Sequence, residues 1–265
     1  MYIQKISLTA IMVSVFLIFL GLFNFIPVIG FASEQTTDDE YMFPVDSSPY
    51  GVSFKEWTQK WWQWYLSIPV QHNPNFEEAE GVKYEPKDCS YLQDAASPVF
   101  FVPYVMQEKG QPSAEMTCTV PTNKAVILGI DNGLMDYGDP RAQPKTVETL
   151  VKIVTETNIY PNEFDITLDG KPLGLTNEEK HRVLSDPFNI TLPQNNIWDE
   201  PPGTYLAVAD GWYLMLKPMP AGEHIIHYTT GYRDHRSDPT IPEGEGNKNP
   251  YIQEVTYRLI VRPTQ

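Results

Sequence analysis

The sequence predicts a mainly β protein: an antiparallel β-sandwich, immunoglobulin-like or jelly-roll-like, with one amphipathic tryptophan-rich helix and a second short helix. Three observations predict it. From Glu163 onward, short apolar segments recur between glycine- and proline-containing turns, the spacing of a sandwich. In the last segment Val255, Tyr257, Leu259 and Val261 alternate with Glu254, Thr256 and Arg258, the period of a strand with one buried and one wet face. Finally, 24 prolines in 265 residues disfavour a helical bundle, because an interior proline removes a helix hydrogen bond and clashes with the preceding turn.

The chain begins with a targeting signal. Lys5 is the only charged side chain before Glu34, and Ile6 to Phe31 is almost wholly apolar. A positive start, an apolar run and the ending Gly30-Phe31-Ala32 make residues 1–32 a secretory signal peptide cut after Ala32, with Pro27 breaking the helix before it. The run is also long enough to span a bilayer, so retention as an N-terminal anchor is the alternative. Either way the remainder is expected outside the cytoplasmic membrane, secreted or on the cell surface. Residues 33–50 are acidic and polar and read as a flexible linker. Residues 51–265 then form a single sandwich domain.

Charge and cysteine content narrow the partners. Asp and Glu number 34 against 19 Lys and Arg, a net charge of -15, or -16 once Lys5 leaves with the signal. That balance excludes nucleic acid as the main partner, because phosphates are neutralised by Lys and Arg. Cys89 and Cys118 are an even pair, and in an oxidising compartment a disulfide is expected. Closing a loop of about 29 residues would stabilise the fold by roughly 3.6 kcal/mol.

The strongest local pattern follows the linker. Ser53 and Glu56 form a capping box, with Val52 and Trp57 at the staple positions around it. On a helical wheel Phe54, Trp57, Trp61, Trp64, Tyr65 and Ile68 fall within about a 100° arc, the stripe of a helix lying on a core. Pro69 ends the helix. Trp62 and Leu66 fall outside the stripe and are expected to meet a second surface. Pro98–Val105 and Ala125–Ile130 read as short buried strands, each preceded by one cysteine. Thr146–Thr157 reads as the second helix, with Val147, Leu150, Val151 and Val154 on one face. Two Asp-Gly pairs, Asp169-Gly170 and Asp210-Gly211, read as hairpin turns, the second separating Thr204–Ala209 from Trp212–Leu216. Glu223–Thr229 and Tyr251–Arg262 complete the strands.

These residues carry a resemblance. Trp57-x3-Trp61-Trp62-x-Trp64-x2-Ser67-x-Pro69, then Asn73-Pro74, Cys89, Pro98-Val-Phe-Phe101 and Cys118-Thr-Val-Pro121 with Lys124-Ala125, resemble a family of uncharacterised secreted microbial proteins. Ala209-Asp-Gly211 and Leu214-x-Leu216-x-Pro218-x-Pro220-x-Gly222-x-His224 extend the likeness over nearly all of the mature chain. Asn123 stands where the family pattern has glycine, and Leu128-Gly129 replaces a bulkier apolar pair. The resemblance implies secretion and a single domain, and no activity. Separately, Gly222-Glu-His-Ile-Ile226 resembles the penultimate strand of immunoglobulin-like domains, which bears on fold alone.

Several groupings have chemical potential. Trp62 and Trp212 are the aromatic candidates for a ligand platform. Arg233 and His235 lie in the charged segment Gly231–Pro250, long enough between two strands to be functional. Asp131, Asp136 and Asp139, interleaved with glycines, would offer a calcium ion hard oxygen ligands, although the spacing is not that of an EF-hand. Beyond that calcium, no cofactor is implied. His224 and His227 are three apart in a strand and project to opposite faces; His224 suits a hydrogen-bonded structural role. Asn189-Ile-Thr191 is a glycosylation sequon. No nucleophile elbow, phosphate-cradling glycine loop or dinucleotide fingerprint occurs. Three functions remain: a protein binding an extracellular ligand or envelope partner, a secreted hydrolase, glycan-directed for instance, using carboxylates with His227 or His235, and a self-associating envelope protein. Contact with a membrane would come only through an uncleaved N-terminal segment.

Overall fold

The computed structural model describes residues 38–73, 89–105, 113–157, 161, 163–198, 200–232 and 251–263. Residues 1–32, read as signal or anchor, lie outside them, as do Arg233 and His235. After one helical turn, α1 (Asp38–Tyr41), the tryptophan-rich segment forms α2 (Phe54–Ser67). The Glu56 N–H donates to Ser53 Oγ at 3.2 Å, satisfying one of the donors a first helical turn leaves without a partner. α3 (Val147–Thr157) is the second helix of the sequence reading.

The strands are β1 (Val99–Phe101), β2 (Ala114–Pro121), β3 (Ala125–Asp136), β4 (Glu163–Leu168), β5 (Lys171–Pro172), β6 (Arg182–Leu184), β7 (Phe188–Leu192), β8 (Gly203–Leu216), β9 (Gly222–Tyr232) and β10 (Tyr251–Arg262). They form two five-stranded sheets. The first runs β1-β3-β8-β6, with β7 also pairing β8; the second runs β2-β10-β9-β4-β5. Leu128, Leu214, Ile226, Tyr228, Tyr257 and Leu259 are among the side chains filling the space between them.

The sandwich is mainly β as expected, but its sheets are mixed. β1 runs parallel to β3 and β2 parallel to β10, while the other pairs are antiparallel. β2 belongs to the second sheet and β3 to the first, so the chain crosses between sheets at Thr122–Lys124 instead of closing a hairpin. Parallel edges result because their partners are reached by long connections.

α2 covers the outer face of the first sheet. Trp61 and Leu66 are fully buried there in a cluster with Ile127, Ala209, Tyr213 and Met215. The first sheet is therefore covered on both faces, which explains why β3 opens with six consecutive buried residues and β8 ends with ten. β10 has one wet face and alternates. α3 closes the far end, packing Leu150 and Val154 against Met135 and Val208. The four tryptophans of α2 are satisfied as well as buried. Their indole N–H groups donate to Pro49 O at 3.0 Å, Val102 O at 2.7 Å, Tyr213 Oη at 2.7 Å and Tyr91 O at 3.0 Å.

Four expectations are corrected. Residues 38–50 are not all linker: Met42, amid Tyr41 and Phe43, is buried and bridges Leu216, an apolar triplet strong enough to dock an acidic segment. Cys118 lies inside a strand, not before one; β2 alternates buried Met116, Cys118 and Val120 with exposed Glu115, Thr117 and Thr119. The Pro98–Val105 strand is only the three residues of β1. Asp210-Gly211 makes no turn, because β8 runs straight through it. Cys89 and Cys118 do form a disulfide, with Cα atoms 5.4 Å apart.

Candidate functional site

β8 positions the chemistry of this fold. Its even-numbered residues, Asp210, Trp212 and Leu214, face the second sheet, while Tyr213 and Met215 face α2. Its outer edge also changes partner. β6 pairs with it as far as Trp212, and the segment around Met42 takes over at Leu216. There the Phe43 N–H donates to Met215 O at 2.8 Å and the Lys217 N–H to Tyr41 O at 2.9 Å.

A cavity of about 330 Å³ occupies this change of partner, lined by residues 42–46, 174–175, 180–181, 213 and 215. Its floor is buried and apolar: Met42, Leu175 and Met215, beside the buried ring of Tyr213. Its mouth is polar, with Asp46 and Lys180 exposed and His181 half-buried. The Thr176 N–H donates to His181 Nδ1 at 2.9 Å, so a neutral imidazole carries its proton on Nε2. An apolar floor with a few polar groups at the rim is the usual anatomy of a small-molecule site.

On the other face of β8 lies a buried ionic cluster. Arg182 Nε donates to both Asp210 carboxylate oxygens at 3.0 and 3.1 Å, and Nη2 closes the pair on Asp210 Oδ2. The guanidinium lies over Trp212, 5.4 Å from the ring centroid, and also donates to Thr155 O at the end of α3 at 3.3 Å. Asp210 is fully buried. Across the sandwich, the Thr230 hydroxyl donates to Asp131 Oδ2 at 2.8 Å. Burial is the main influence on Asp131 and holds its carboxyl up at about 6, against the opposing pull of Thr230 and Arg182.

A third grouping sits where β3 ends. Asp136 is buried and accepts from the Gly138 N–H, and a Cβ on Gly138 would overlap both its carboxylate and that of Glu200. Glu200 Oε2 is buried and has no hydrogen-bond partner among the described residues. Burial, then the charges of Asp136 and Asp139, push Glu200 up to about 6. Asn196 holds that residue in place, its Oδ1 accepting the Glu200 N–H and its Nδ2 donating to the Glu200 carbonyl.

The sequence-derived candidates are placed as follows. Trp62 and Trp212 lack the exposure a stacking platform needs: Trp62 is 6% exposed and Trp212 0%. Asp131, Asp136 and Asp139 do not converge on a cation. Asp131 faces the second sheet, and after the bulge at Gly129 the alternation puts Asp136 on the opposite face. Asp139 pairs with Arg141 at 2.7 Å. Among the described residues, no three His, Cys, Asp or Glu side chains come together as metal ligands. His224 is structural, its Nδ1 2.8 Å from Asp169 Oδ2. Asn189 is exposed on β7. Next to it, Gln63 Nε2 donates to the Asn189 carbonyl at 2.9 Å and Gln59 Nε2 to Asp186 O at 3.0 Å, so α2 covers this edge of the sheet.

The cavity and Arg182 escaped the sequence reading. The cavity is assembled from three separate segments, and neither Met42, Leu175 nor His181 stands in a motif. Arg182 has a faint signal, as a cation followed by alternating residues opposite a strand containing a buried aspartate. No family model matches this chain, and no curated protein and no solved structure matches it either.

Proposed function

We propose that this protein is an extracytoplasmic β-sandwich that binds a small, mainly apolar molecule with a hydrogen-bond-accepting head group. The observation that carries this reading is the cavity at the β8 edge. Its volume of about 330 Å³ falls at the lower end of ligand sites, generally ~300–1,000 Å³. The apolar body would lie on Met42, Leu175 and Met215, and the head would meet Lys180 at the mouth beside His181, in exchange for the exposed Lys180–Glu178 pair at 2.8 Å. The compartment rests on the N-terminal signal and the likeness to secreted proteins, and the Cys89–Cys118 disulfide is compatible with it. The cover that α2 lays over β7 weighs against self-association through that edge.

The test is titration with 1-anilinonaphthalene-8-sulfonate, an apolar fluorophore with an anionic head. Leu175→Trp should fill the cavity and reduce binding at least tenfold without lowering the melting temperature. His181→Ala should weaken it by a smaller factor. Unchanged dye affinity in Leu175→Trp would remove the cavity from the account.

A further inference from the structure

One end of the space between the sheets brings together a buried hydroxyl, a carboxylate and a buried primary amide. Thr230 on β9 and Gln253 on β10 stand opposite each other in the antiparallel ladder. Both face inward, 2% and 3% exposed, with Tyr228 and Val255 as the next inward residues of their strands. Residues opposite each other on one face have Cβ atoms about 4.5–5.5 Å apart. The Thr230 hydroxyl lies one bond beyond its Cβ and the Gln253 amide carbon two bonds beyond its own, so the two can meet.

Each of these groups has a partner suited to a reaction between them. The Thr230 hydroxyl donates to Asp131 Oδ2 at 2.8 Å, a distance at which a general base takes a proton. The Tyr104 hydroxyl donates to Gln253 Oε1 at 2.9 Å, the oxygen that gains negative charge when the amide carbon is attacked. Asp131 belongs to β3 and Tyr104 to the segment after β1. Burial is the main reason the Tyr228 phenol is pushed far up, but Tyr104 and Asp131 both add to it, so the two reach the same place. A nucleophile with its base, facing a carbonyl with its own donor, is the arrangement of acyl transfer.

We propose that Thr230 and Gln253 are joined autocatalytically by an ester bond. Thr230 Oγ1 attacks Gln253 Cδ while its proton passes to Asp131 Oδ2. The tetrahedral intermediate carries its charge on Oε1, against the Tyr104 hydroxyl. Collapse breaks the Cδ–Nε2 bond, Asp131 returns the proton to the departing nitrogen, and ammonia leaves. One alcohol and one primary amide become one ester and one ammonia, with no oxidant, cofactor or outside nucleophile. Fixing the two side chains opposite each other supplies the proximity that free side chains lack. Burial keeps out the water that would hydrolyse the product. The ester ties β9 to β10 at the base of the connection between them, a covalent staple in addition to Cys89–Cys118.

The test is peptide mapping of the folded wild-type chain by mass spectrometry. Trypsin cuts after Arg233 and Lys248, so Thr230 and Gln253 fall in separate peptides, 183–233 and 249–258. The ester should hold these together at about 17 Da below the sum of their masses, the loss of one ammonia. Fragmentation should place the bond at Thr230 and Gln253, and hydroxylamine, which cleaves esters, should part the peptides. Thr230→Ser should keep the linked species, whereas Thr230→Val and Asp131→Asn should give the two peptides free. The wild-type map decides the matter even where a variant fails to fold. Free, unmodified peptides from the wild type would overturn the proposal, as would a linked species that persists in Thr230→Val or Asp131→Asn.

Discussion

Asp169-Gly170 closes the β4–β5 hairpin with both residues at positive φ, +52° and +75°, whereas Asp210-Gly211 runs through the interior of a 14-residue strand. On local preference the two pairs are equivalent, and each favours a two-residue turn. Their surroundings differ. Asp169 is 43% exposed at its side chain, which accepts from the Ile225 N–H at 2.8 Å and pairs with His224 at the sheet surface. Asp210 is fully buried against Arg182. β3 continues past its bulge far enough to place Asn132 opposite Gly211 and Gly133 opposite Asp210. A turn there would break the ladder on both sides of β8 and leave Arg182 buried without its carboxylate. The local preference of a dipeptide, on the order of 1 kcal/mol, yields to those terms.

That contrast is open to direct attack. The largest effect is expected from Asp210→Ala, which strands a guanidinium whose side chain is only 10% exposed; a loss of about 3–5 kcal/mol should appear as a lower urea midpoint. Gly211→Ala comes next. A Cβ there would overlap the Asp131 carbonyl and the Asn132 backbone, so the strands must part, and the φ of +139° is penalised as well, at a combined cost of roughly 2–3 kcal/mol. Gly170→Ala is its matched control. Its Cβ meets nothing within 4 Å, so only the positive φ of +75° is penalised, by about 1 kcal/mol. Equal losses in the two glycine variants would show that backbone conformation matters and strand contact does not. Smallest is Asp169→Ala, which removes an exposed cap and should lower stability by about 0.5 kcal/mol, with the β4–β5 amides exchanging faster than the rest of the second sheet.

The same distinction sorts what the sequence made legible. α2 was readable because its determinants are adjacent in the chain: a cap three residues from its acidic partner, a stripe at helical spacing and a terminating proline. β10 was readable because one wet face imposes alternation. β2 carried that signal in Met116, Cys118 and Val120, but its threonines and glutamate hid it among polar neighbours. Trp62 and Trp212 were misjudged because aromatic residues look alike whether they form a platform or a wall. What separates them is the partner, Tyr213 for Trp62 and Arg182 for Trp212, and each partner is distant in sequence. The three aspartates near Gly129 were spaced as one loop, yet strand geometry sends two of them to opposite faces.

The amino-acid sequence by itself determined a mainly β fold, one capped tryptophan-rich helix, the pairing of two cysteines and an acidic surface. Each follows from periodicity, adjacency or simple counts, which the chain carries before it folds. Tertiary structure alone decided which Asp-Gly pair turns, which tryptophans are buried, where the cavity opens and which carboxyls burial pushes up. Those outcomes depend on burial and on charges brought together from distant segments. A buried ion pair or a desolvated acid outweighs any preference a few neighbouring residues can express.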